Sequence, residues 1–203
     1  MKKEDRRIQR TKALLRDSLV ELILENGYDA VKVAHITEHA NLARATFYLH
    51  YKDKDDLLTK CLYDVFDELA EKVGDIQATT LITFDSELRK LPFEHAKKYR
   101  DLYRVALMSP HGISTVTNNA RLYMSRHIVG QLQRVLPEAQ KRIPLPIVAN
   151  YFAGALIAVM SWWIEEGEQF DTEYMAEMFY WLSLPSMSML LGINTPPPMP
   201  DSD

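Results

Sequence analysis

At 203 residues, 47% of them hydrophobic and 26% charged, the chain is long enough for one large or two small domains with a sizeable core, and its composition is that of an ordinary globular protein. Seven glycines with few Val/Ile/Thr alternations argue against a sheet, and a single cysteine, Cys61, excludes an intramolecular disulfide framework and fits a reducing cytoplasm. The formal net charge of −4 would argue against a nucleic-acid partner if it were evenly spread, but residues 1–60 hold 12 Lys and Arg against 10 Asp and Glu and the remainder 12 against 18, giving a basic start and an acidic rest.

The chain begins with a predicted helix from about Asp5 to Asn26, with Leu15, Leu19, Leu22 and Ile23 at helical spacing and Gly27 placed to end it. The basic excess is concentrated in Lys2, Lys3, Arg6, Arg7, Arg10, Lys12 and Arg16, a basic start that could reach an adjacent phosphate or minor groove. No apolar run follows this charged start, so no secretory signal is expected. Val33, Ile36 and Ala40 give a short helix one apolar stripe, and Asn41, which tolerates the left-handed conformation, ends it. A second short helix from about Arg44 to His50 puts Phe47 and Tyr51 on one face and Arg44, Thr46, Tyr48 and His50 largely elsewhere. Two short helices across a tight turn make a helix-turn-helix, whose second helix can enter a major groove. Arg44 offers a fork to a base, Tyr48, His50, Lys52 and Lys54 are expected on phosphate, and Thr46 suits either duty; Ala45 and Leu49 complete the DNA-facing set. Ala34 cannot hydrogen-bond a base, so readout rests on the second helix. Lys54-Asp55-Asp56 then opens a long helix to about Gly74, with two acids complementing its dipole and a wide apolar face in which Cys61 is a packing residue.

Gly27-Tyr28, then Val33-x-x-Ile36, then Thr46-Phe47-Tyr48-Leu49-His50-Tyr51-Lys52-Asp53-Lys54-Asp55-Asp56-Leu57-Leu58, together resemble the N-terminal DNA-binding domain of the TetR family over roughly residues 10–60. Beyond residue 60 the resemblance is to that family's helical regulatory domain in general. Ala43 stands where the family usually has Ser or another capping residue, and Lys32 where it usually has Thr; each departure loses a side-chain N-cap worth about 1 kcal/mol. The expected fold is all-α: a three-helix helix-turn-helix DNA-binding domain (1–53) joined by a long helix to a helical ligand-binding and dimerisation domain (54–193), then a disordered tail (194–203) with four prolines.

From Ala78 the pattern weakens. Residues 79–91 are expected to be helical and Pro92 to start a new helix, where its missing N–H is harmless, with Phe93, Ala96, Tyr99, Leu102, Tyr103, Ala106 and Leu107 along one side. Residues 109–112 read as a loop, and a further helix spans about Ile113 to Leu136 before Pro137. Residues 147–164 carry only Asn150 and Ser161 as polar side chains, near the shortest length that crosses a bilayer; that short length, Asn150 and the DNA-binding start favour a buried helix over a membrane span. A last helix runs from about Thr172 to Leu191, which Pro185 should kink or end early.

His35 and His39 lie four apart on one helix, a spacing that can hold a metal, but no Cys or third His is near in sequence and the order is not that of a zinc protease. Ser161, His127 and Asp171 come without a nucleophile-elbow or oxyanion sequence, and no glycine-rich phosphate loop occurs. No catalytic residue, metal or cofactor is therefore expected. The later aromatic residues suit a core or an adaptable pocket. The resemblance implies such a pocket between the central helices, with His95, Tyr99, Tyr103, Tyr123, His127, Phe152, Leu156 and Trp162 as its candidate walls. A helix with no polar face would leave a monomer exposing an apolar strip, so Ala149, Ala153, Gly154 and Ala158, with Met175, Met178, Phe179 and Leu182, are the candidate dimer interface. The function expected is that of a cytoplasmic homodimeric repressor, released from a palindromic double-stranded DNA operator by a small apolar or aromatic effector. The alternatives are an activator of the same fold and a relative that acts through a protein partner without binding DNA.

Overall fold

A computed structural model describes residues 6–74, 86–108, 114–135, 143–166 and 169–191. Among them the regular structure is entirely helical, in the order α1 (Arg6–Asn26), α2 (Val33–His39), α3 (Arg44–Tyr48), α4 (Lys54–Val73), α5 (Ser86–Lys98), α6 (Arg100–Met108), α7 (Ser114–Val135), α8 (Leu145–Glu165) and α9 (Thr172–Leu191). The loop expected at 109–112, the stop at Pro137 and the tail from 194 lie outside the described residues. The helices form two compact units that do not follow a single cut of the chain: Met1–Val65 with Tyr99–Ala120, and Phe66–Lys98 with Arg121–Asp203.

In the first unit α1 packs on α2 and α6, and α2 on α3. The apolar positions that gave these segments their helical spacing are the ones buried: Leu15, Leu19, Ile36, Phe47, Leu57, Leu58 and Leu62 are fully enclosed. Side chains of this size contribute about 1.5–3 kcal/mol each when removed from water. Gly27 takes φ +80°, open to a residue without Cβ strain, and its N–H donates to the Ile23 carbonyl at 2.9 Å to close α1. His39 ties α2 to α1, with Nδ1 3.1 Å from Ser18 Oγ and Nε2 3.5 Å from Glu21. Cys61 is buried among these leucines, and burial pushes its thiol up to about 12.

In the second unit α5 lies along α9, and α8 packs on both. Phe93 is the hub, with ring centroids 5.9 Å from Trp163 and 6.1 Å from Phe179; the Trp163 indole N–H donates to the Phe170 carbonyl at 2.8 Å, so the largest buried ring leaves no orphan donor. Leu145, Ala149, Ala153, Ile157, Met160 and Ile164 form the buried face of α8, while Ile147, Tyr151, Ala158 and Trp162 are exposed on the other side. By length and composition α8 could cross a bilayer, and 39% of its most apolar stretch is buried within the protein.

Two proline expectations are corrected. Pro92 does not open a helix: it lies inside α5, and the break falls at Tyr99. Arg89 and Lys90, just before it, pair with Glu177 at 3.1 Å and Glu173 at 2.9 Å on α9, and Phe93 and Ala96, just after it, are buried. Contacts on both sides hold the segment helical despite the missing N–H. Of the two outcomes expected at Pro185, the early end does not occur: α9 continues past it to Leu191.

Candidate nucleic-acid interface and ligand cavity

The turn between the short helices is built by local hydrogen bonds. Ahead of α2 the Lys32 side chain makes no cap, but its backbone N–H donates to His35 Nδ1 at 3.3 Å, so a histidine supplies the reciprocal arm of a capping box. Ala43 leaves α3 without a side-chain cap. Thr37 Oγ1 donates to the carbonyls of Val33 and Ala34 at 3.0 Å, and Asn41 takes φ +52° as its type allows, bringing the Leu42 N–H to the Thr37 carbonyl at 2.8 Å. Phe47 and Tyr51, with ring centroids 5.6 Å apart, anchor α3 from behind. Arg44, Ala45, Tyr48 and Leu49 are exposed at the front, Thr46 and His50 are half-buried, and Lys52 is exposed beyond them.

Lys54, expected on phosphate, has its ammonium turned into the fold. Its ammonium donates to the carbonyls of Tyr28 at 2.6 Å and Val31 at 3.0 Å, and lies 4.0 Å from the centroid of the Tyr28 ring. Both carbonyls belong to the 28–31 turn just after α1, where the Tyr28 carbonyl also accepts the Val31 N–H at 3.3 Å. The Tyr28 hydroxyl donates to Asp55, and burial, then that bond, raises the phenol above its ordinary range. Asp53 Oδ1 accepts the Asp56 N–H at 2.8 Å as an N-cap of α4. Asp56 Oδ2 accepts from the Lys52 N–H and from Lys60 Nζ, both at 2.9 Å; burial alone would raise this carboxyl, but those two donors outweigh it and hold it below its usual value. Lys60 also reaches the His50 carbonyl at 3.0 Å. Two lysines are thus bound within the fold, while Lys32 and Lys52 present their ammonium groups to solvent. In the sequence, the position of Lys32 drew notice only as a lost cap.

The second unit holds a half-open cavity of about 300 Å³ between α4, α5, α7, α8 and α9. Its walls are mostly apolar, among them Phe66, Leu69, Val73, Phe93, Met124, Ile128, Phe152, Leu156 and Phe179, with Arg89, His127, Gln131 and Tyr180 as the main polar members. The Arg89 guanidinium sits 4.2 Å from the Tyr180 ring centroid, and Arg89 Nε and Gln131 Oε1 are buried without a hydrogen-bond partner. Of the walls expected from sequence, the structure brings together His127, Phe152 and Leu156. His95 is buried elsewhere in the same unit, Tyr123 donates its hydroxyl to Asp67 at 2.7 Å, and Trp162 lies on the exposed side of α8. Tyr99 and Tyr103 belong to the first unit, where Tyr103 is fully buried and its phenol raised by that burial. The end of α4 and the middle of α5, missed as walls, were visible only as apolar positions continuing past Val65 and around Pro92.

The candidate interface residues divide as well. Ala149, Ala153 and Met175 are buried within the chain, and Phe179 lines the cavity. Ala158 and Leu182 are exposed, and Gly154 and Met178 half-buried. With only Asn150 and Ser161 as polar side chains between 147 and 164, the sequence of α8 could not say which stripe faces inward.

The family model described as bacterial regulatory proteins, tetR family, matches residues 15–61, and one described as a transcriptional regulator C-terminal region matches residues 88–184. The fatty acid metabolism regulator protein of Bacillus subtilis is 35% identical over 59 residues, covering 29% of this chain and 30% of that protein. The chain spans less than half the length of the curated relatives it matches. Among solved structures, a protein of Syntrophomonas wolfei assigned to the TetR family superposes with a TM-score of 0.74 at 16% identity, over 92% of this chain and 99% of that one. The regulator FadR of Bacillus subtilis, in complex with stearoyl-CoA, does so with a TM-score of 0.58 at 16% identity, over 88% and 97%. At such identities the superpositions show the fold, and the family models carry the assignment: built of a helix-turn-helix and a helical C-terminal region, the chain belongs to the TetR family of bacterial transcriptional regulators.

Proposed function

We propose that the protein is a cytoplasmic homodimeric repressor that holds a palindromic operator through α3 and releases it when a small apolar compound enters the cavity of the second unit. The observation that carries this reading is the front of α3, where Arg44, Ala45, Tyr48 and Leu49 stand exposed on a helix anchored from behind by Phe47 and Tyr51. Arg44 reads a base, Lys52 and Lys32 hold phosphate, and Thr46 and His50 flank them. An apolar cavity with a few polar groups is the usual form of a small-molecule site. Fatty-acyl compounds are the first effectors to try, since a structurally similar regulator is known with stearoyl-CoA bound. One helix, α4, carries the Lys54 clamp in its first turn and Phe66, Leu69 and Val73 in its last two, and is the element through which an effector would act. The exposed Ile147, Tyr151, Ala158 and Trp162 of α8, with Leu182 of α9, are the surface for a second copy.

The test is footprinting on the promoter beside the gene. Wild type should protect a palindrome, and Arg44→Ala should lose about 1–3 kcal/mol at one base position of each half-site. Fatty-acyl compounds of stepped chain length should then release the DNA, and Leu156→Trp, which fills the cavity, should block release while leaving DNA binding intact. Failure to protect any sequence would end this reading.

A further inference from the structure

Leu49 is the most exposed of the large hydrophobic residues described, at 80% of its full surface, although it sits at the end of an ordered helix beside fully buried Phe47. It follows α3 with helical backbone (φ −68°, ψ −24°), and its N–H donates to the Ala45 carbonyl at 3.2 Å. Ala45 and Leu49 therefore stack one turn apart on the front of the helix, with Arg44 and Tyr48 to one side of them and Thr46 and His50 to the other. The result is a narrow apolar strip with a hydrogen-bonding group on either side. A leucine can neither donate to nor accept from a base edge or a phosphate. In the major groove the one apolar feature that distinguishes a base pair is the C5-methyl group of thymine.

We propose that Leu49, with Ala45 beneath it, is a specificity-determining residue that reads a thymine methyl in each operator half-site. This rests on the DNA-binding reading above and adds to it the identity of one base. Leu49 is chosen because Leu122, Leu182 and the exposed residues of α8 all lie outside the helix-turn-helix, and Tyr48 has a hydroxyl with other uses.

The experiment uses the full chain and a duplex selected by it from a random library. Each thymine of the half-site is replaced in turn by deoxyuridine, which removes only the methyl group, and affinity is read by fluorescence anisotropy. One position should lose about three- to tenfold, the scale expected for one or two buried methyl-sized groups. Leu49→Ser should bind the thymine duplex more weakly by a similar factor and no longer distinguish thymine from uracil at that position, while keeping its responses elsewhere. Because the side chain is exposed, the variant should melt with wild type, which separates lost readout from lost folding. The proposal is overturned if no thymine position responds, or if Leu49→Ser keeps the wild-type preference for thymine over uracil. A library yielding no enriched sequence would overturn the DNA-binding reading itself, a distinct result.

Discussion

A phosphate reaching for the Lys54 ammonium would have to displace two carbonyl oxygens and an aromatic face, whereas the Lys52 ammonium stands in solvent. Lys54→Met should therefore lower the stability of the first unit by about 2 kcal/mol, the scale of hydrogen bonds from a charged donor, and leave the salt dependence of DNA binding unchanged. Lys52→Met should do the reverse, reducing the slope of log affinity against log salt by roughly one phosphate contact. Thermal unfolding and binding titrations at several salt concentrations check both. Asp56 gives a pH signature. Its carboxyl is held below the usual value in the fold, so its contribution is present above the unfolded carboxylate pKa and is lost as pH falls through the lower folded value. Asp56→Asn should cost about 1 kcal/mol at neutral pH and nothing once wild type is itself protonated in strong acid. An equal deficit at both ends would contradict that role.

At the level of the helices, the two sides of α8 differ in kind. Ala153→Leu, on the buried side, should destabilise the second unit by about 1–3 kcal/mol through overpacking, while Ala158→Leu, five residues on and exposed, should be nearly neutral in denaturant unfolding. That α8 would be a helix was legible from its apolar length, but its buried side was not, because between Asn150 and Ser161 no charged residue marks the solvent. The α5 segment shows the opposite limit. Pro92 carries a strong local signal for a helix start, and its ion-paired and buried neighbours outweigh that signal by contacts that form only in three dimensions. The helix-turn-helix was readable almost residue by residue because Gly27, Asn41, Phe47 and Tyr51 each act through near neighbours in the chain. Lys54 escaped that reading because its partners lie 23 and 26 residues away.

For the whole molecule, the proposed pairing of two copies gives the most direct test. Tyr151→Glu combined with Trp162→Glu places charge on the exposed side of α8 and should yield a folded monomer in sedimentation, with operator affinity reduced by the loss of paired half-sites. The cavity is the part of the molecule least visible in the sequence, since its walls come from five helices whose residues meet only after folding. Cys61 has a practical use. Cys61 is buried in the folded chain and that burial raises its thiol, so an alkylating reagent will modify almost only molecules whose first unit has opened. The single native cysteine is thus an internal clock for that opening. DNA present at a hundred times its dissociation constant should slow the clock about a hundredfold, which would measure operator binding without any attached probe.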